Sequence, residues 1–184
     1  MVLAAGGGSR YRDSGGATHK LLASFRGATV VEAAVAAAVA AGLDATFVVT
    51  GAVELVDRLP RGVTVVANPA WADGQAGSVR AGVAAAAAAG HDAVVVGLGD
   101  QPMVGAEAWK RVAAAVTTPI AVATYDGVRG NPVRLAADAW PLLPTAGDAG
   151  ARAIFTRYPE LVTEVRCPGN PADIDTLEDH HRWS

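Results

Sequence analysis

At 184 residues the chain is long enough for one domain with a sizeable core, and too short for two full-sized α/β domains enclosing a cleft. Apolar residues make up 51% and aromatics only 5%, so the core is built mainly from Ala, Val and Leu, which argues against bulk disorder. A formal charge of -3 with no Lys or Arg block argues against a nucleic-acid partner, and the lone Cys167 excludes an internal disulfide or paired-cysteine metal site and fits a reducing compartment.

In chain order, Val2 to Ala5 reads as a first strand, and its apolar start without a basic stretch suits a buried strand better than a signal peptide. The loop from Gly6 to His19 is rich in Gly and Ser and has little hydrophobic periodicity, which makes it a candidate ligand-binding element. Thr29, with Glu32 three residues on, predicts the N-terminus of a helix that places Val31, Val35 and Ala38 on one face and stops at Gly42. A β-branched run from Ala45 to Thr50, a short helix from Val53 to Leu59, a strand from Val63 to Ala67 and an Ala-rich helix from Ser78 to Ala89 follow. Ala93 to Leu98 is apolar at every position, as a strand covered on both faces of a parallel sheet requires. A helix from Gly105 to Val116, a strand from Ile120 to Thr124, a turn through Asp126-Gly127 and an extended Pro132 to Leu135 come next. The last third reads as a helix from Ala149 to Tyr158, an edge strand from Val162 to Arg166 and a closing helix after Asp175. This alternation predicts a single α/β Rossmann-like three-layer domain over residues 1–184, with a mostly parallel, doubly wound sheet whose ligands lie beyond the carboxyl ends of the strands. Apolar runs such as Ala84 to Ala89 are too short or too weakly hydrophobic to span a bilayer, so the expected setting is the cytoplasm with no membrane partner.

Three constellations carry chemistry. The first is Leu3-Ala4-Ala5-Gly6-Gly7-Gly8-Ser9-Arg10 with Lys20 downstream, where glycines after a buried strand let backbone N–H groups approach an anion and Arg10 and Lys20 neutralise a triphosphate. It is not a Walker A loop, because Leu21 follows Lys20, nor a dinucleotide fingerprint, because Tyr11 stands at the third glycine position. The second is Asp100 at the end of the most apolar strand, suited either to Mg²⁺ or to capping a turn. Asp173 and Asp175 share a face of an extended segment, and either one completes the metal site, Asp175 having helix capping as its alternative. The third runs from Asn68 to Gly82, where Gln75 and Ser78 at a loop-to-helix junction read a base edge or a phosphate, or simply cap. Two further polar turns, residues 129–133 and 147–152, supply Asn131, Asp148 and Arg152 as candidate acceptor-binding residues.

Taken together these segments resemble the NTP-transferase family of the molybdenum cofactor, most closely its cytidylyltransferase branch. The resemblance runs in order through Leu3 to Arg10, Lys20-Leu21-Leu22, Asn68 to Gly82, Leu98-Gly99-Asp100-Gln101-Pro102, Gly130-Asn131-Pro132-Val133, Gly147 to Arg152 and Asp173-Ile174-Asp175-Thr176. It implies a Mg²⁺-assisted transfer of CMP from CTP to the phosphate of molybdenum-loaded molybdopterin, and a molybdoenzyme or its chaperone as recipient of the product. It also implies that the loop holds the triphosphate, Arg10 and Lys20 stabilise the leaving pyrophosphate, and Asp100 binds the metal. Leu-Ala-Ala-Gly at the opening resembles the cytidylyl branch, where guanylyl relatives more often carry a second glycine. Residues 11–19 depart from the family, replacing a shorter Met-Gly-x-Pro-like stretch and lengthening the loop. Two alternatives stand beside this reading: the same chemistry with GTP or another phosphorylated acceptor, and a nucleotide-binding module without catalysis.

Overall fold

The fold is that of a computed structural model, which describes residues 1–148 and 152–184; the side chains of Arg152 and Ala153 also lie outside the described part. Its strands are β1 (Val2–Ala4), β2 (Ser24–Phe25), β3 (Ala28–Thr29), β4 (Phe47–Thr50), β5 (Thr64–Ala67), β6 (Ala93–Leu98), β7 (Ile120–Tyr125), β8 (Val128–Ala136) and β9 (Val162–Arg166). The α-helices are α1 (Ser9–Asp13), α2 (Val30–Ala40), α3 (Gln75–Ala88), α4 (Ala106–Ala114), α5 (Arg152–Arg157) and α6 (Leu177–Trp183). The strand predicted over 162–166 and the closing helix are both present, and β2 and β3 form a separate small hairpin.

Seven strands form one sheet in the order β5-β4-β1-β6-β8-β7-β9. The β1/β4, β1/β6, β4/β5 and β7/β9 pairs are parallel, while β8 runs antiparallel to both β6 and β7. The local cause of that reversal is the turn at Asp126-Gly127, where both residues have positive φ (50° and 82°), the backbone a tight hairpin requires. The extended segment expected over 132–135 is therefore the second half of a nine-residue strand. Pro132 cannot donate to a ladder, and it sits beside the register shift between Val122 and Ala123, where a strand tolerates it.

The sheet has α2 and α4 on one face and α3 and α5 on the other, and strand alternation divides the core between them. Val2, Val48, Val95 and Ala121 join Val31, Val35, Ala108 and Val112 in one apolar cluster. Leu3, Val49, Val94, Val96 and Val122 join Val79, Val83, Ile154 and Phe155 in the other. Helix α2 begins where predicted, with the Thr29 N–H donating to Glu32 Oε2 at 2.7 Å and the Glu32 N–H donating to Thr29 Oγ1 at 3.4 Å. Close packing of indole on backbone explains Gly97 in β6, since a Cβ there would lie 2.4 Å from the Trp109 ring.

Some elements differ from the sequence expectation. The helix expected over 53–59 is a single 3-10 turn at Val56–Arg58, because Pro60 holds Leu59 extended; the turn is enough to bury Leu55 fully. The glycine-rich loop contains α1, which hydrophobic periodicity over five residues cannot announce. Of the helix expected over 149–158, α5 is seen and residues 149–151 lie outside the described part. Among the described residues no helix is long and apolar enough to cross a membrane.

From β1 the chain steps outward to β4 and β5, then returns to place β6 on the other side of β1. The crevice between the carboxyl ends of β1 and β6 is the switch point, where a doubly wound sheet opens to a ligand.

Candidate active site

Two loops meet at that crevice, Ala5 to Gly8 after β1 and Gly99-Asp100 after β6, joined by the Gly99 N–H donating to the Leu3 carbonyl at 2.8 Å. Gly8 has a φ of 61°, which turns the chain into α1, and a Cβ there would press within 3.1 Å of the His19 ring. The far end of the loop is tied back by His19. Its Nδ1 accepts from the Leu21 N–H at 3.3 Å, so Nε2 carries the proton and donates to the Gly6 carbonyl at 3.0 Å. Burial lowers the His19 pKa against the raising effect of that carbonyl, and the charges of Lys20 and Arg12 add to the lowering.

Lys20 is the centre of the site. With its side chain 11% exposed, its Nζ lies 2.6 Å from Asp100 Oδ2 and 2.7 Å from Asp175 Oδ1. Burial alone would lower its pKa, but the two carboxylates outweigh burial and hold it above the usual lysine range. Asp175 is shared, since its Oδ2 lies 2.7 Å from Arg10 Nη1, whose side chain is 74% exposed. Asp175 therefore holds two cations and does not cap α6. That role falls to Thr176, whose hydroxyl accepts from the Asp179 N–H at 3.1 Å.

Among the described residues two carboxylate oxygens remain buried without a hydrogen-bond partner, Asp100 Oδ1 and Asp173 Oδ1. Burial first, then the negative charges of Asp100 and Asp175, push the Asp173 carboxyl up to about 6. The extended segment carrying Asp173 is drawn to the end of β6 by the Ile174 N–H donating to the Asp100 carbonyl at 2.9 Å. Gln101, 4% exposed, adds a second tie by donating to the Pro171 carbonyl at 2.8 Å and accepting from Asn131 Nδ2 at 3.2 Å. Among the described residues no group of three or more His, Cys, Asp or Glu forms a ready-made metal cage. Two unpartnered carboxylate oxygens suit a hard divalent cation that takes its other ligands from phosphate and water, as Mg²⁺ or Mn²⁺ does.

A cavity of 560 Å³ lies over these groups, lined by Leu3, Ala4, Ala5, Gly6, Gly7, Gly8, Ser9, Arg10, Lys20, Gln75, Ser78, Asp100, Asp148 and Asp175 together with Trp71 and Asp173. Nearly the whole set read from the sequence is thus gathered in one place. Ser78 is also buried, and its Oγ accepts from Asn68 Nδ2 at 2.9 Å, which ties the preceding loop to α3 and leaves the hydroxyl hydrogen to donate. Asp148 reaches the cavity because Gly74 lets the 147–148 turn close on α3; a Cβ on Gly74 would lie 2.7 Å from Gly147. Asn131 lines the neighbouring cavity of 370 Å³, which shares Leu3, Gln75 and Leu98 with the first and adds Arg129, Val122, Val133 and Phe155. The side chain of Arg152 lies outside the described residues. Sequence reasoning did not single out His19, Trp71 or Gln101. The indole of Trp71 packs where a Cβ on Gly7 would come within 2.9 Å, which makes it a wall of the cavity.

Similarity to known proteins agrees with this geometry. A curated relative, nicotine blue oxidoreductase of Paenarthrobacter nicotinovorans, is 30% identical over 99% of this chain and 94% of its own length. Among solved structures, a nucleotidyl transferase from Methanothermobacter thermautotroptrophicus matches with a TM-score of 0.81 at 27% identity, covering 98% of this chain and 93% of that one. Rv0371c of Mycobacterium tuberculosis H37Rv matches with a TM-score of 0.83 at 29% identity over 99% of this chain and 94% of its own. Rv0371c has also been solved as a complex with manganese. The model of the MobA-like NTP transferase domain matches residues 1–162, and the chain belongs to that family.

Proposed function

We propose that this protein is a metal-dependent cytidylyltransferase that moves CMP from CTP to the phosphate of molybdenum-loaded molybdopterin and releases pyrophosphate. The observation that carries the reading is the pair of buried, unpartnered oxygens on Asp100 and Asp173 beside the Lys20 ammonium, at the mouth of a glycine-rich loop. Either Asp173 or Asp175 completes the site with Asp100; the unpartnered Oδ1 of Asp173 supports Asp173 in that place, while Asp175 is engaged by Arg10 and Lys20. Asp100 and Asp173 would hold a Mg²⁺ there, and the ion would supply neutralisation of phosphate charge.

The residues of the chain do the rest. Backbone N–H groups of Gly6 to Ser9 receive the triphosphate, and Arg10 and Lys20 meet charge on the leaving pyrophosphate. An oxygen of the acceptor phosphate attacks the α-phosphorus, the bond to the bridging oxygen of the β-phosphate breaks, and that electron pair leaves with pyrophosphate. The acceptor phosphate is already an anion, so the step needs positioning and charge stabilisation and no protein nucleophile. Gln75 lies where the two cavities meet, while Asn131 and Asp148 line them and hold the acceptor; Arg152 joins them on the sequence reading alone. The reading takes residues 1–184 as one cytoplasmic domain that passes its product to a molybdoenzyme or a chaperone.

A second reading comes from the 30% identical relative named as an oxidoreductase: redox chemistry on a planar compound seated over the apolar floor of the 370 Å³ cavity. One panel separates them. Pyrophosphate release is followed with Mg²⁺ and each of CTP, GTP, ATP and UTP, with and without molybdenum-loaded molybdopterin. Release that requires CTP and that acceptor supports the proposal. Release with GTP or another phosphorylated acceptor moves the substrate. Oxidation of a reduced nicotinamide by a dye acceptor, without any pyrophosphate, favours the redox reading.

A further inference from the structure

The closing helix α6 lies beyond the matched residues 1–162, and its contacts converge on residues 11–16 of the glycine-rich loop. Ser14 Oγ stands between them, donating to the Tyr11 carbonyl at 2.8 Å while accepting from the Leu177 N–H at 2.8 Å. Tyr11 is buried, with its ring edge-on to His180 at 5.9 Å between centroids. His180 Nε2 faces the Ser24 carbonyl at 2.5 Å, so that nitrogen carries the proton and Nδ1 accepts from the Tyr11 hydroxyl at 3.3 Å. Gly16 closes the loop under the same ring, where a Cβ would lie 2.2 Å from Tyr11. At the start of α6, Asp179 Oδ2 accepts from the Thr176 N–H at 2.9 Å and from the Asp175 N–H at 3.3 Å, which fixes the carboxylate that holds Arg10 and Lys20.

We propose that Ser14, Tyr11 and His180 are positioning residues: through them α6 docks the glycine-rich loop so that Arg10 and Lys20 face the triphosphate. The inference rests on the nucleotidyl-transfer reading. Residues 11–16 are then a built hinge-stop for α1, and the side chains of Ser14 and His180 act on phosphate binding without touching the phosphate. A loop of this length left untied keeps more conformational freedom, and ordering it falls on the ligand.

The test uses the full chain with Ser14→Ala, which removes a hydroxyl and leaves no sizeable cavity, and His180→Leu, which removes the imidazole. Three quantities are read: affinity for CTP with Mg²⁺ by titration calorimetry, the rate of tryptic cleavage after Arg12, and pyrophosphate release resolved into kcat and KM for each substrate. Both variants are expected to speed cleavage after Arg12 and to weaken CTP binding by about tenfold, the scale of one or two lost hydrogen bonds in a preorganised loop, with KM for the acceptor unchanged. Faster cleavage with unaltered CTP affinity and kcat overturns the positioning role and leaves α6 a structural strap. Unaltered cleavage and affinity together overturn the docking itself. Should the unsubstituted protein release no pyrophosphate with any nucleotide, the nucleotidyl-transfer reading fails by itself, while weaker CTP binding in Ser14→Ala still supports the docking and equal binding overturns it. If His180→Leu does not fold, Ser14→Ala decides alone.

Discussion

On the β1 side of the cleft, Arg10, Lys20, Asp100 and Asp175 form one network of ion pairs between 2.6 and 2.7 Å. On the β8 side the floor is Val96, Val122, Val133 and Phe155, with Arg129 at the rim paired to Glu164 at 2.7 Å. The first half is specified by charge, and removing its shared cation Lys20 leaves Asp100 without a partner in a half-buried setting. The second half is specified by shape, and a change of volume there re-forms the pocket without stranding a charge. On the proposed reading, the phosphates fall on the charge-specified half and the second substrate on the shape-specified half.

The sharpest way to break that contrast is Asp100→Asn. The substitution keeps the side-chain volume and leaves Lys20 paired with Asp175, so the melting temperature should move little. Turnover should fall by about 10²- to 10³-fold, because the anionic oxygen facing the proposed metal is lost. A near-normal rate of pyrophosphate release would remove Asp100 from the metal site. Lys20→Ala comes next. It should lower kcat by about 10²-fold and also destabilise the fold by about 3 kcal/mol, since Asp100 and Asp175 lose their shared cation in a half-buried setting. Equal loss of kcat with unchanged urea stability would mean that water replaces the ammonium freely.

On the apolar half the expected effects are smaller and fall on the other substrate. Arg129→Met should raise KM for the acceptor about tenfold and leave KM for the nucleotide and the melting temperature near their starting values, because Arg129 and its Glu164 partner are exposed enough that their ion pair adds little stability. A change in nucleotide KM would show that the two cavities act as one. Filling the floor by Val122→Phe serves as the companion, blocking the acceptor while sparing CTP binding.

How far the sequence disclosed this division depends on the kind of signal. The charged half was legible because its chemistry sits on strand ends: an unbroken apolar run from Ala93 to Leu98 announces β6 and thereby places Asp100, and the glycines after Val2 to Ala4 place the phosphate loop. Which of Asp173 and Asp175 keeps an unpartnered oxygen was not legible, because alternate residues on one extended segment share a face and only packing shows which oxygens find partners. Likewise β8 reads locally as an extended segment, and nothing in its own residues says that it enters between β6 and β7. Ser78 carried a polar side chain at a helix start, and its tie to Asn68 was not legible because the two meet only through packing of the loop on α3. Gln101 reads as part of a turn, whereas it ties Pro171 and Asn131 to the end of β6 across 70 and 30 residues of chain.

The last prediction concerns Asp173 and is a pH dependence of stability, separate from turnover. Burial and the neighbouring charges of Asp100 and Asp175 raise its carboxyl from the ordinary 3.8 to about 6. The folded protein therefore holds this proton more tightly than the unfolded chain does. Below the ordinary carboxylate value both states are protonated and the group's contribution is fully present; as pH rises through the raised value the unfolded chain has already released its proton, and stability is lost. The loss between about pH 4 and pH 6 should amount to about 2 kcal/mol and stay constant above that window. Asp173→Asn should abolish it, so that the urea midpoint of the variant exceeds that of the parent near neutral pH and equals it near pH 4. Added Mn²⁺ should stabilise the parent at neutral pH, because the cation offsets the same crowded charge, and should stabilise the variant much less. Parallel pH curves for the two proteins would mean that Asp173 titrates as an ordinary carboxylate, and the case for it as a metal carboxylate beside Asp100 would then rest on the orphaned oxygen alone.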